Sequence, residues 1–199
     1  MNSIMEIKQK SRKDKMVTLY DRIEARTAEQ TLKKIVEINM EDEFYINEGK
    51  EWAHQNMVES ATFKLTPISL YLSTPGGNVY DGLALCDTIE SSTTPVEIIC
   101  SGKVMSMGII VCLASSIRKA HRSTTFMIHQ VSGMNFGTLQ DMKESVKETN
   151  RLNEIIFDII VKKSKVTREK LDCIIRQKED WYFSAEEALN LGIITEIID

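Results

Sequence analysis

Short apolar runs alternate with longer amphipathic stretches along most of this chain. Each run spans five residues and is rich in β-branched, aliphatic or aromatic side chains, which predicts strands. Between them, apolar residues recur at intervals of three and four, which predicts helices. Such alternation favours an α/β fold with a largely parallel sheet. The runs are Met16–Tyr20, Ile68–Leu72, Val96–Cys100 and Thr124–Ile128.

Several predicted helices begin with a Ser or Thr followed three residues later by an acid or amide, the pattern of a capping box. Thr27 and Gln30 form such a pair ahead of a periodic apolar stretch. Thr138 and Asp141 form another, at the start of a long helix whose apolar positions continue to Ile160. Later elements are a helix opening at Thr167, a short strand Trp181–Phe183 and a last helix capped at Ser184.

Two segments differ from this pattern. Val104–Ala114 is almost continuously apolar, which predicts a helix buried on all sides. It is shorter than the roughly 20 residues that a membrane-spanning helix needs, so we expect no membrane anchor. Glu41–Phe63 is polar and without a clear period, and we expect a loop there with at most one short helix.

Composition excludes some classes of protein. Lys and Arg total 25 against 29 Asp and Glu, a net charge of −4, so nucleic acid and anionic membranes are poor candidate partners. Basic residues between Lys8 and Lys15 predict a tail over residues 1–15, ahead of a single domain over residues 16–199. We find no secretory signal and no Cys-x-x-Cys pair, which favours a reducing, cytoplasmic setting without a metal or cofactor.

Six of the nine glycines lie at predicted strand ends or helix starts, where ligands bind in α/β sheets. Gly76 and Gly77, after Pro75, would leave backbone N–H groups unshielded for a carbonyl oxygen or a phosphate. An ordinary tight turn is the alternative. Neither G-x-x-x-x-G-K-[ST] nor G-x-G-x-x-G is present, which disfavours phosphate.

A hydroxyl group stands at the start of the most apolar segment, at Ser106. It either caps a helix or acts as a nucleophile whose oxyanion is bound by the next N–H, that of Met107. A nucleophilic serine needs an imidazole, and His129 alone among the three histidines follows an apolar strand. The carboxylate that would orient this imidazole is left open among three candidates. These are Asp172, Glu179 and Asp180.

Five motifs stand in a fixed order along the chain. They are Ser73-Thr-Pro-Gly-Gly77, Met105-Ser-Met-Gly108, Met127-Ile-His-Gln130, the pair Gly133 and Gly137, and Asp180-x-x-Phe183-Ser-Ala-Glu-Glu-Ala188. Together they resemble the proteolytic subunit of the Clp protease, a self-compartmentalising serine peptidase. The resemblance extends over about residues 16–197, and it implies a ClpP/crotonase-like fold with βα units.

The same resemblance implies a Ser-His-Asp triad that cleaves peptide bonds through an acyl-enzyme. Ser106 would be the nucleophile, His129 the general base and then acid, and Asp180 the group that orients the imidazole. Gly77 and Met107 would supply the N–H groups of the oxyanion hole.

The family likeness also implies an assembly. Two heptameric rings would stack and enclose the active sites, with the segment Thr138–Lys163 as a projecting handle helix between them. Unfolded polypeptides would be the substrates, delivered by an AAA+ unfoldase, and a strand from Gly133 to Gly137 would pair with the bound peptide.

This chain departs from the family pattern at several places. Glu41–Phe63 contains roughly 20 extra residues, Val131 stands where proline is usual, and Ser69 replaces an aromatic residue that normally accompanies Tyr71. Two other interpretations stay open. One is a non-catalytic ring subunit with an idle triad. The other is a crotonase-type acyl-CoA enzyme, in which backbone N–H groups bind a thioester oxyanion.

Overall fold

A computed structural model describes residues 4–6, 15–58, 60–62, 65–133 and 136–199. Its helices are α1 (Ala25–Gln55), α2 (Val79–Glu90), α3 (Met107–Leu113), α4 (Leu139–Lys163), α5 (Arg168–Gln177) and α6 (Ala185–Asn190). Its strands are β1 (Ile4–Glu6), β2 (Met16–Leu19), β3 (Ser60–Thr62), β4 (Ile68–Thr74), β5 (Val96–Met105), β6 (Ile117–His121), β7 (Thr125–Ile128), β8 (Trp181–Phe183) and β9 (Glu196–Ile198).

The strands form a mixed sheet whose main path is β2-β4-β5-β6-β9, with β7 beside β5 and β8 beside β7. Every pairing in this sheet is parallel except that of β7 with β8. β1 and β3 form a separate parallel pair. The predicted α/β class with a largely parallel sheet is therefore confirmed, although β6 and β9 were not predicted.

Strand β5 is longer than its apolar run indicated. The apolar run ends at Cys100, but the chain stays extended to Met105 and bends at Gly102, where φ is +63°. The first half of β5 pairs with β6, up to Cys100, and the second half pairs with β7. Glycine allows this bend because it lacks the Cβ that makes positive φ costly.

Helix α3 lies at the centre of the molecule, and all seven of its residues are buried. It contacts α2, α4 and strands β4, β5 and β7. The predicted helix buried on all sides is confirmed for Met107–Leu113, whereas Met105, Ser106 and Ala114 are partly exposed and Val104 and Met105 belong to β5. None of the helices in the described ranges is long and apolar enough to cross a bilayer.

Helix α1 corrects the prediction for Glu41–Phe63. The helix continues without a break to Gln55, and Glu59 and Phe63 lie outside the described residues. The segment contains no proline, and five of its 23 residues are Glu, which has good helix propensity, so the helix can continue despite the weak apolar period. The helix also begins earlier than predicted, at Ala25.

A buried ion pair holds the middle of α1. Lys15 Nζ donates to Asp42 Oδ2 at 2.7 Å and to the carbonyl of Thr66 at 3.0 Å, and Thr94 Oγ1 donates to the same carboxylate oxygen at 2.5 Å. Lys15 and Asp42 are both less than a tenth exposed. Lys15, which we had assigned to the tail, therefore joins the start of β2 to α1, whereas residues 7–14 of that tail lie outside the described residues.

Helix α4 matches its prediction closely. Thr138 caps it, with reciprocal hydrogen bonds to Asp141. Its carboxyl-terminal half packs on the core through Leu152, Ile156, Phe157 and Ile160. Its amino-terminal half instead exposes apolar side chains, namely Leu139, Met142 and Val146.

All four cysteines are free thiols. Cys86, Cys100 and Cys112 are buried, the last two with their sulfur atoms 3.6 Å apart, while Cys173 on α5 is partly exposed. Burial, reinforced by the nearby charge of Glu90, raises the pKa of Cys86 to about 12. Because the thiolate is the reactive form, the buried thiols should be inert in the folded protein.

We expect Asp42→Ala to lower the free energy of unfolding by about 3–5 kcal/mol, because it leaves the Lys15 ammonium buried without its partner. Denaturant titration measures the change. The matched control is Glu29→Gln, which breaks the exposed pair with Lys33 and should leave the free energy of unfolding nearly unchanged. Equal losses in the two variants would contradict a special role for the buried pair.

We also expect iodoacetamide at pH 8 to modify Cys173 first in the native protein. At that pH Cys86 stays protonated because its pKa lies far above 8, and thiol reactivity requires deprotonation. Peptide mapping after timed quenching identifies the modified thiols. Alkylation of Cys86 at the rate of Cys173, without denaturant, would refute this order.

Candidate active site

The candidate residues lie at one edge of the sheet, directly after three neighbouring strands. Gly76 and Gly77 follow β4, Ser106 follows β5 and His129 follows β7. Because these strands are parallel, their carboxyl ends meet, and ligands bind at such edges in α/β proteins. Side chains separated by up to 53 positions in the sequence are thereby brought together.

Asp180 reaches the same edge by a different route. Strand β8 runs antiparallel to β7, so Trp181 at its start lies opposite Ile128 at the end of β7. The residue before Trp181 is therefore adjacent to the residue after Ile128, which is His129. Of the three carboxylates left open by the sequence, Asp180 is the one that the antiparallel pairing places beside the imidazole.

The three side chains form a hydrogen-bonded line. His129 Nε2 lies 2.8 Å from Ser106 Oγ, and His129 Nδ1 lies 3.3 Å from Asp180 Oδ1. The histidine side chain is 26% exposed and the aspartate side chain 56% exposed. The imidazole can thus accept the serine proton on one nitrogen while the carboxylate orients the other.

Ser106 precedes α3 in a conformation that L-residues rarely adopt, with φ 52° and ψ −122°. This is the geometry of the first central residue in a type II′ turn, a position that glycine dominates. The hydroxyl makes no capping hydrogen bond to α3 and faces His129 instead. The structure therefore does not support the interpretation of Ser106 as a simple helix cap.

Two backbone N–H groups flank the hydroxyl. Neither Gly77 N–H nor Met107 N–H donates a hydrogen bond to any described residue, whereas the adjacent Asn78 N–H donates to the carbonyl of Ile23. Gly77 lies so close to Ile23 that a Cβ at position 77 would stand 2.0 Å from the Ile23 carbonyl oxygen. Both residues line the cavity beside Ser106, so their N–H groups are available as donors to a ligand there.

A cavity of about 280 Å³ opens beside Ser106. Its apolar wall combines Val79 and Ile128 with Ile156 and Ile160 of α4, and Arg22 lies at its rim. The two α4 isoleucines were not among the site residues that the sequence predicted. Arg22 was missed although it follows β2, whose carboxyl end lies at the same edge of the sheet, and that placement was the available signal.

The segment after His129 differs in part from the prediction of a peptide-binding strand. Gly133 and Gly137 are exposed and belong to no strand, and residues 134 and 135 lie outside the described residues. The segment is attached to α4 where Val131 N–H donates to Asn153 Oδ1 at 3.0 Å. A proline at position 131 would lack this donor.

A second polar contact joins α2 to α4 near the cavity. Tyr80 donates to Glu148 at 2.5 Å, and Arg151 also binds this carboxylate. These hydrogen bonds lower the pKa of Glu148 to about 2 and raise that of Tyr80. Within the described residues, no group of three His, Cys, Asp or Glu side chains is arranged to hold a metal ion.

Sequence comparison identifies relatives over most of the chain. A sequence model of the Clp protease family matches residues 31–199. The ATP-dependent Clp protease proteolytic subunit of Deinococcus radiodurans is 38% identical over 135 residues, which is 66% of this chain and 65% of the relative. Subunit 1 of Borreliella burgdorferi is 34% identical over 134 residues, 66% of this chain and 68% of the relative.

The chain thus spans just under two thirds of the length of the Deinococcus relative. Among solved structures, a mutant of ClpP1 from Listeria monocytogenes superposes with a TM-score of 0.72, covering 93% of this chain and 91% of that one. At 24% identity this match concerns the fold alone. It confirms the predicted ClpP-like architecture, and the family match confirms the resemblance seen in the motifs.

We expect Ser106→Gly to be more stable than Ser106→Ala by about 1 kcal/mol. Both variants lose the hydroxyl, but only glycine relieves a strain of about 1–3 kcal/mol at this positive φ. The greater entropy of glycine in the unfolded chain offsets about 0.5–1 kcal/mol of that gain. Thermal melting of the two variants measures the difference, and a less stable glycine variant would argue against strain at this position.

Proposed function

The chain belongs to the Clp protease family, and we propose that it is a serine peptidase acting on unfolded polypeptides. The observation that carries the proposal is the 2.8 Å contact between Ser106 Oγ and His129 Nε2, beside two unused N–H donors. This contact favours acyl transfer over the crotonase-type alternative, in which the serine and histidine would have no assigned role.

In the proposed acylation step, Ser106 Oγ attacks the peptide carbonyl while His129 Nε2 takes its proton. The carbonyl oxygen becomes an oxyanion that the N–H groups of Gly77 and Met107 bind, each donor contributing about 3 kcal/mol to the transition state. Asp180 stabilises the imidazolium formed. The C–N bond then breaks, and the imidazolium gives its proton to the leaving amine.

Deacylation repeats this sequence with water as the nucleophile. His129 takes a proton from the water, the oxyanion forms again in the same site, and the acyl C–O bond breaks. The proton returns to Ser106 Oγ, and the carboxylic acid product leaves. Each step uses one general base and one oxyanion site, so the chemistry requires no group beyond the side chains and N–H donors described.

We place the substrate in extended form between the cavity and the segment from Gly133 to Gly137. An extended peptide can pair with such a segment through main-chain hydrogen bonds. The apolar wall formed by Val79, Ile156 and Ile160 would then receive a side chain next to the scissile bond. Main-chain recognition of this kind suits substrates of varied sequence.

We further propose that the chain assembles into two stacked heptameric rings and works with an AAA+ unfoldase. The relatives are named as proteolytic subunits of ATP-dependent proteases, which supports both parts. The exposed apolar residues Leu139, Met142 and Val146 give α4 a face suited to burial against another subunit. Four free thiols fit a reducing compartment such as the cytoplasm.

We expect a fluorophosphonate probe to label the protein on Ser106, and the protein to cleave a small fluorogenic peptide. The Ser106→Ala variant should not be labelled, and its kcat/KM should fall at least about 10³-fold, because the nucleophile is removed. Labelling located by mass spectrometry, together with peptide turnover, tests both points. Retention of both activities by the alanine variant would remove the proposal.

The non-catalytic alternative predicts another combination of results. A ring-sized species that neither reacts with the probe nor cleaves peptides, with or without an unfoldase, would mean that the triad is idle. Folding of the tested protein is checked by its thermal transition.

We expect native mass spectrometry to find a species of about 320 kDa, the mass of fourteen 22.7 kDa chains. Replacing Met142 and Val146 on the exposed face of α4 by Glu should shift the population toward single rings or monomers, because charges would be buried at the interface. Glu substitution at exposed Lys33 on α1 is the matched control. A wild-type protein that stays monomeric at micromolar concentration would disprove the assembly.

A further inference from the structure

Arg22 lies at the rim of the catalytic cavity and also lines an adjoining groove between the β2–α1 connection and α4. The two spaces share Gly77 and Val79, so they are continuous. An extended peptide with its scissile carbonyl at Gly77 would therefore pass close to this side chain.

The backbone around Arg22 is firmly held. Ile23 N–H donates to the carbonyl of Gly76 at 2.9 Å, and the Ile23 carbonyl accepts from Asn78 N–H at 2.8 Å. The carbonyl of Arg22 itself accepts from Thr27 Oγ1 at 2.7 Å. Because hydrogen bonds tie this residue to the same turn that supplies the Gly77 N–H, its position relative to the reacting carbonyl is fixed.

The guanidinium, in contrast, is free. It forms no ion pair or hydrogen bond with any of the described residues, and Asp21 next to it accepts from the Arg22 backbone N–H rather than from the side chain. Glu24, the other acid of this connection, is engaged with the amino terminus of α1. Arg22 is also the one Asp, Glu, Lys or Arg side chain among the described residues that line the catalytic cavity.

We propose that Arg22 is a specificity-determining residue that favours substrates with an acidic side chain next to the scissile bond. An unpaired cation whose backbone is held beside the catalytic cavity attracts a carboxylate of a bound peptide through charge. Arginine also presents several N–H donors in a planar fork that fits a carboxylate. This inference rests on the proposed peptidase activity.

The test uses pairs of fluorogenic peptides in which one position carries either Glu or Gln. One pair is made for each of the three positions before and the three positions after the scissile bond. We expect the wild-type chain to show a Glu over Gln preference in kcat/KM of about 3- to 10-fold at one or two adjacent positions. Raising the salt concentration should weaken the preference, because the interaction is between charges.

Variants assign the preference to one side chain. Arg22→Gln should bring the ratio to about one, Arg22→Lys should keep part of it, and Arg22→Glu should favour Lys over Gln at the same position. Arg26→Gln is the matched control, since it removes an equal charge from an exposed arginine that does not line the catalytic cavity. That variant should keep the wild-type ratio.

The outcomes separate the two proposals. Cleavage of every peptide without a Glu preference, or a preference that survives in Arg22→Gln, would overturn the role of Arg22 while leaving the peptidase intact. Failure to cleave any peptide, together with no probe labelling of Ser106, would overturn the peptidase assignment and this inference with it.

Discussion

The hydrogen bond from Ser106 N–H to the carbonyl of Met127, at 2.8 Å, extends the β5–β7 ladder one residue beyond the end of β5. It fixes the serine beside the last residues of β7, and His129 follows directly. The antiparallel addition of β8 then brings Asp180 to the far side of the imidazole. The line of three side chains is thus a product of strand pairing, and it needs no loop to fold over the site.

A strained serine persists only where its surroundings over-determine it. Here the following helix is buried over its whole length, so α3 cannot shift to relax the turn without opening the core. On the other side, Gly76 lies so near that a Cβ there would be 2.7 Å from Ser106 Cβ. Packing density therefore acts together with the Ser106–Met127 hydrogen bond to maintain the reactive geometry.

Much of this arrangement was predictable from the sequence, because the relevant patterns are local. Apolar runs predicted the central strands, and capping residues predicted the starts of α4 and α5. The choice of Asp180 over Asp172 or Glu179 was not predictable from the residues alone, since it depends on the direction of β8 in the sheet. The continuation of α1 was missed because its polar sequence lacks a clear apolar period, and because Asp42 is buried through a contact with the distant Lys15 although an acid there predicts a surface position. Arg22 was missed because its role depends on neighbours far along the chain.

Strand β5 pairs with β6 before the bend at Gly102 and with β7 after it, and each pairing has its own register. Successive side chains of a strand point to opposite faces, so one residue gained or lost between Gly102 and Met105 would turn position 106 away from His129. The spacing of this short segment is therefore as strictly constrained as the identity of the nucleophile. Natural variation in chain length should therefore be absorbed outside this segment.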